Sequence, residues 1–154
     1  MSKKIFCYST FWTIVYFSIM NSRNKSTKET RRVDRRRILL AENSLISAVH
    51  FESLLQGWNF EIDIVQNGEE AIRKLKSTHY DILFLDIQLP EMGGLKVAGE
   101  IRLMGYTMLD FPILVLARHS VSRETLDING VNEIILRPFS REELGGKIGQ
   151  FVTK

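Results

Sequence analysis

Asp86 closes an apolar run. In the stretch from Asp81 to Gly94, DILFLDIQLPEMGG, an acid follows Ile82, Leu83, Phe84 and Leu85 and stands just before a turn carrying Pro90 and Gly94. A short continuous apolar run bounded by turn signals is a strand covered on both faces, and a charge is costly where such a chain is buried. Asp86 therefore belongs at the carboxyl end of its strand. In an open α/β sheet that rim is where ligands bind, so Asp86 is either part of a ligand site or an ordinary solvated strand-end acid. A second polar pair, Glu42 and Asn43, follows another apolar run, and asparagine there suits a helix N-cap. His50, His79 and His119 have no partners at metal or catalytic spacing, and a lone histidine is more often structural or solvated. Cys7 is the single cysteine, which excludes an internal disulfide and a cysteine metal site and fits a reducing compartment.

These groups must be positioned by regular elements, and from Ile38 onward apolar runs alternate with helical patterns. Ile38 to Ala41 predicts a first strand, and Ser44 to Gln56 a helix with Leu45, Ala48, Phe51 and Leu55 inward. Glu61 to Val65 alternates as an edge strand does, and Asn67 is placed to cap a helix with the stripe Ala71, Ile72 and Leu75. After the strand ending at Asp86, Leu95, Ala98 and Ile101 mark a third helix and Ile113 to Leu116 a fourth strand. A short helix near Ser122 to Asn129 stops at Gly130, a left-handed C-cap, and Ile134 to Leu136 is the fifth strand. SREE, from Ser140 to Glu143, is a capping box that opens a last helix with Leu144, Ile148, Phe151 and Val152 inward. Gly145, Gly146 and Gly149 each cost that helix about 1 kcal/mol relative to alanine, so it must fray or depend on packing. Strict alternation of this kind predicts an α/β fold, a doubly wound parallel sheet with helices on both faces.

Charge divides the chain unevenly. Residues 1–37 hold ten Lys/Arg against two acids, and the remainder holds eleven against sixteen, so the net charge of +3 is a basic arm on an acidic domain. With 154 residues and an ordinary hydrophobic fraction of 44%, the chain suits one domain with a real core. Residues 1–35 form a basic extension with a short apolar segment at 5–20. Its sixteen residues, diluted by Ser9, Thr10, Thr13 and Ser18, fall short of the roughly 20 that cross a bilayer, and no small-x-small cleavage site follows. The segment is therefore expected to be disordered or a translation artefact upstream of Met20, a weak membrane anchor with the following domain kept in the cytoplasm, or an export signal. The arm lacks a recognisable DNA-binding motif, so nucleic acid ranks low as a partner.

The motif LFLDIQLPEMGG resembles the phosphoacceptor loop of response-regulator receiver domains, in which an aspartate ends the third strand and a proline and a glycine turn follow. ILLAEN, NGEEAI, FPILVL and RPF match that family in order and at compatible spacing, over residues 36–153. The resemblance implies a flavodoxin-like sheet of strand order 2-1-3-4-5 in a domain at 36–154, CheY-like in kind. It implies Asp86 as phosphoacceptor, with a magnesium ion (Mg²⁺) held by Asp86, the acid pair Glu42 and Asn43, and the backbone carbonyl of Gln88. A hydroxyl at the end of the fourth strand and a lysine after the fifth would contact the phosphoryl group. Phosphoryl transfer needs charge neutralised and the nucleophile held in line, which is why those groups belong together.

Several positions depart from the family pattern. Asn43 replaces a carboxylate, so Mg²⁺ is expected to bind weakly. Ala117 stands where Thr or Ser is usual and donates nothing. Arg137 replaces the lysine before Pro138, a bond the family commonly holds cis, and a planar fork is not a point charge. Ile134 takes the place of the aromatic switch residue, and the stretch from Ala117 to Arg137 is a couple of residues short. The implied function is a single-domain response regulator, not a turnover enzyme, that accepts a phosphoryl group on Asp86 from a histidine kinase or a histidine phosphotransfer protein and signals to a downstream protein. The alternatives are a pseudo-receiver that binds proteins without phosphate, or a decayed fragment of a hybrid kinase.

Overall fold

The computed structural model describes residues 35–152. The first 34 residues, and with them the apolar segment 5–20 and nearly all of the basic extension, lie outside the described residues. Ten elements alternate without interruption: β1 (Arg36–Ala41), α1 (Leu45–Leu54), β2 (Phe60–Val65), α2 (Gly68–Ser77), β3 (Ile82–Asp86), α3 (Gly94–Leu103), β4 (Ile113–Ala117), α4 (Arg123–Ile128), β5 (Glu133–Leu136) and α5 (Arg141–Val152). All strand pairs are parallel, and the order is β2-β1-β3-β4-β5. The expected doubly wound sheet is thus observed.

Alternation along each strand divides the core into two layers. Leu39, Leu83, Val115 and their neighbours pack on one face against Ala71, Leu75, Val97, Ile101 and Leu126. Ile38, Leu40, Phe84 and Leu116 pack on the other against Ala48, Phe51, Leu144 and Ile148. β3 lies in the middle, and Ile82 to Leu85 are wholly buried, as a strand paired on both sides and covered on both faces must be. β2, with its mixed burial, is an edge strand.

The caps form largely where the side chains predict them. Asn67 accepts the Glu70 N–H at 2.9 Å, and Ser140 and Glu143 close the reciprocal capping box at 3.2 and 2.8 Å. Gly130 has φ +66° after the short α4, as a left-handed C-cap requires. Two expectations differ. The cap of α1 is Ser44, whose Oγ accepts the Ser47 N–H, so Asn43 is free of that duty. Leu45, at the first helical position, is exposed rather than inward, since the helix meets the sheet only from Ala48 onward. Phe151 is half-buried against the α1 and α5 layer.

The amino-end loops are tied by Arg102 at the end of α3. Its guanidinium donates to the carbonyls of Gly130, Thr107 and Phe111 at 2.8, 3.0 and 2.8 Å and to Asn132 Oδ1 at 2.9 Å. Burial pulls its pKa down to about 10, which leaves it charged at neutral pH. On β5 itself, Glu133 meets Lys147 of α5 at 2.9 Å. Burial tends to raise the Glu133 carboxyl, but hydrogen bonds from Lys147 and the Ile134 N–H outweigh it and hold the pKa below the usual range.

Packing also accounts for the glycine-rich α5. A methyl group at Gly145 would lie 2.2 Å from the Trp58 ring, so this glycine admits the indole, which also meets the Phe60 ring edge-on at 6.3 Å and the Arg141 guanidinium 4.7 Å from its centroid. Gly146 faces open space. Gly146→Ala should stabilise the fold by about 0.5–1 kcal/mol through helix propensity alone. Gly145→Ala should destabilise it by about 1–3 kcal/mol through overpacking against Trp58. Urea denaturation of both variants checks the opposite signs, and equal shifts would refute the assigned contact.

Candidate functional site

Four strand ends meet at one rim. Glu42 and Asn43 follow β1, Asp86 ends β3, Ala117 ends β4, and Arg137 follows β5. The register pairs Ala41 with Leu85, Asp86 with Leu116, and Ala117 with Leu136, so the ends align instead of stepping away from one another. All five residues, together with Gln88, line a single cavity of about 200 Å³. It lies where the chain order reverses between β1 and β3, the usual crevice of an open α/β sheet.

The loop after Asp86 is shaped by close approach. A Cβ on Gly94 would stand 2.3 Å from the carbonyl oxygen of Asp86, so only glycine lets α3 begin there. The Gly94 N–H donates to the Ile87 carbonyl at 3.0 Å, and Leu89 turns inward to full burial. Glu91 takes φ +68°, a left-handed conformation uncommon for a residue with a side chain. The loop therefore holds Asp86 from behind and leaves its carboxylate facing the cavity, 16% exposed.

Charge pairing decides the rest of the geometry. The Glu42 side chain is 1% exposed, and a carboxylate so buried must be paired or hydrogen-bonded. Its Oε1 accepts the Ser44 N–H at 2.8 Å, and its Oε2 accepts Arg137 Nη2 at 2.5 Å. The same Nη2 stands 3.7 Å from Asp86 Oδ2, an ion pair rather than a hydrogen bond. Asp86 Oδ1 accepts the Gln88 N–H at 2.9 Å. Arg137 is thus a latch across two carboxylates, bound more tightly to Glu42 than to Asp86 because the more buried charge has the greater need of a partner. Its N–H is anchored to the Ala117 carbonyl at 2.8 Å, and the Arg137-Pro138 bond is cis, as expected.

This arrangement bears directly on the expected Mg²⁺ ligands. The ion takes near-octahedral oxygen ligands at about 2.0–2.1 Å. Here both Glu42 oxygens already accept hydrogen bonds, Asn43 supplies no charge, and the Arg137 guanidinium stands between Glu42 and Asp86, the only two acids of the cavity among the described residues. Among the described residues no group of three His, Cys, Asp or Glu side chains is disposed to hold a metal. As they stand, the residues do not fit the ion. Ala117 is buried and presents only a methyl group to the cavity. Ile134 is half-buried on β5, packs against the layer holding α2 and α3, and lies outside the cavity lining.

Three contributors escaped the sequence reading: Ser44, whose N–H holds Glu42; Ser47, one turn on; and Arg118, which follows Ala117 and lines the cavity. Position was the available signal for Arg118, since the residue after a rim residue is also at the rim. His50 lines a neighbouring cleft of about 350 Å³ with Ser47, Phe51, Arg118 and Phe139. No helix among the described residues is long and apolar enough to cross a membrane.

Comparison with known proteins gives one consistent result. Residues 38–148 match the response regulator receiver domain. The chain is 31% identical over 118 residues to the autoinducer 2 sensor kinase/phosphatase LuxQ of Vibrio vulnificus, an alignment covering 75% of this chain and 13% of that protein. It thus spans about an eighth of that kinase's length. Among solved structures, it is 26% identical to the receiver domain of a sensor histidine kinase from Pseudomonas aeruginosa PAO1, with a TM-score of 0.69, covering 77% of this chain and 98% of the other. That protein has a magnesium ion coordinated in its active site cleft. Response regulator TrrA from Thermotoga maritima, solved in complex with Mg²⁺-BeF, is 34% identical with a TM-score of 0.67, covering 76% and 99%.

Two measurements check the latch. Arg137→Gln should destabilise the fold by about 3 kcal/mol, the lower end for a broken buried pair because Arg137 is 21% exposed; chemical denaturation reads this, and a loss under 1 kcal/mol would refute it. Asn43→Asp should raise Mg²⁺ affinity about tenfold or more in isothermal titration calorimetry. An unchanged affinity would show that Arg137, not the missing carboxylate, governs the ion.

Proposed function

Since the chain belongs to the response regulator receiver family of two-component signalling, we propose that it is a phosphorelay receiver whose phosphoacceptor is Asp86. The observation that carries this reading is the placement of Asp86: it ends the central strand, is held by its loop, and is open to a cavity that the Arg137 guanidinium also lines. The donor is a phosphohistidine of a histidine kinase or a histidine phosphotransfer protein. In the transfer, Asp86 Oδ2 attacks phosphorus and the new O–P bond forms as the P–N bond to the donor imidazole breaks. The bonding pair returns to the ring nitrogen, which regains a proton from water. The product is an aspartyl phosphate.

Arg137 lies beside Oδ2 and offsets the charge of the incoming group. When Asp86 becomes an acyl phosphate, the fork can turn from Glu42 toward the new oxygens, for which it has matching geometry. Arg137 already engages the carboxylates that Mg²⁺ would need, so the ion would bind only by displacing it. Residues 36–154 are the receiver unit and residues 1–35 its basic extension; the chain works in the cytoplasm, with residues 5–20 as its candidate tether. Leu45, Ile46 and Val49 leave an apolar surface on α1 near the rim, and the cleft beside His50 gives the donor room to approach. The protein is a phosphoacceptor whose only catalysis is of its own phosphorylation and dephosphorylation, and it signals by binding a downstream protein.

A second reading is favoured by Ala117 and Ile134. Without a hydroxyl at the β4 end or an aromatic ring on β5, phosphorylation has fewer means of moving the surface. On this reading the latched site is permanent, and the domain is a phosphate-independent interaction module.

Incubation of the full chain with Mg²⁺ and acetyl phosphate, followed by intact-mass measurement, separates the two. The first reading expects the mass of one phosphoryl group on the wild type and none on Asp86→Ala. A folded wild type that gains no phosphoryl group would end it. Partner binding unaffected by Asp86→Ala is the result expected of the second.

A further inference from the structure

The site lacks a fit for a divalent ion yet carries more fixed positive charge than one latch. Arg118 follows the buried Ala117 at the end of β4 and lines both the Asp86 cavity and the cleft beside it. Arg137 lines the same two spaces. Whereas Arg137 is engaged by Glu42, Arg118 is exposed and forms no ion pair among the described residues. Its guanidinium is therefore available to an incoming anion without first breaking a buried contact.

We infer that Arg118 and Arg137 together form an oxyanion clamp that takes the electrostatic place of the metal, so that phosphoryl capture on Asp86 proceeds without a divalent cation. The inference rests on the phosphoacceptor reading and names how that site is neutralised. Glu42 and Asp86 contribute two negative charges and the two arginines two positive, so the unmodified site is close to neutral. A phosphoryl group adds about 1.5 to 2 negative charges while the Asp86 carboxylate charge is consumed in the new bond. Two guanidiniums then leave the site near one net negative charge. Arginine is also suited to the task by shape, since its planar fork can donate two parallel hydrogen bonds to phosphate oxygens. Ala117, which donates nothing, leaves the space at the β4 end in which the neighbouring Arg118 can reach the group. The transfer itself is unchanged: from acetyl phosphate, Asp86 Oδ2 gains the phosphorus, the P–O bond to the acetyl group breaks, and acetate leaves with the bonding pair.

The experiment labels the full chain with acetyl phosphate in Mg²⁺ and, separately, in EDTA, and reads intact mass over time for wild type, Arg118→Ala and Arg118→Lys. Wild type should be labelled in EDTA at a rate within about threefold of that in Mg²⁺. Arg118→Ala should lose about tenfold or more of the EDTA labelling, and Arg118→Lys, which keeps the charge, should recover part of it. Circular dichroism melting of each variant confirms the fold, since Arg118 is a surface side chain. Labelling that requires Mg²⁺, or EDTA labelling unchanged in Arg118→Ala, overturns the clamp and leaves Asp86 as phosphoacceptor. A folded wild type unlabelled in both conditions overturns both.

Discussion

A carboxylate with almost no access to water, Glu42, has to be neutralised within reach of the sheet, and Arg137 is the group that does so. The demand is severe because an unpaired buried charge costs several kcal/mol, whereas a fully hydrogen-bonded one is tolerated. Ser44, whose Oγ also caps α1, supplies the second hydrogen bond through its N–H. The start of α1, the end of β1 and the turn after β5 are consequently joined at one point. The remaining extent of the guanidinium then falls beside Asp86 at 3.7 Å, and the candidate site is in effect the exposed side of that buried pair.

This pairing gives the site a character different from one built around a metal. In a metal centre, clustered carboxylates repel one another until a cation arrives, and the bound ion is the organising charge. Here the organising charge is covalently part of the chain. It cannot leave, but it can rotate, and the two carboxylates it spans differ in burial, so its preference for Glu42 is a matter of degree. Modification of Asp86 changes that balance directly. The consequence is a site whose resting state is ordered and nearly neutral, with Arg118 at its mouth.

Much of the scaffold follows from local rules. β3 is buried on both faces because four consecutive apolar residues leave no wet side, and its central place follows from that burial. Gly94 serves the site from outside it, since any side chain there would collide with the Asp86 backbone and push the acid off the rim. The glycines of α5 illustrate the limit of local rules. Propensity alone marks all three as weaknesses, yet Gly145 admits Trp58 while Gly146 meets nothing, a difference set by a residue almost ninety positions away.

By itself the sequence determined the order of elements, the parallel sheet, most of the caps, and the position of Asp86 at a strand end. Each of these depends on neighbours within a few residues: the period of apolar side chains, a hydroxyl or amide at a helix start, a proline and glycines after a strand. Its family likeness also identified Glu42, Asn43, Gln88, Ala117 and Arg137 as companions of Asp86, and the structure brings them to one cavity. What only the tertiary structure decided is which charges are paired. Glu42 and Arg137 are separated by 95 positions, and whether the arginine would serve Glu42, Asp86 or neither was open until burial was known. The reason is electrostatic: the strength of a charge's claim on a partner depends on how much water it has lost, and that is a property of the assembled fold.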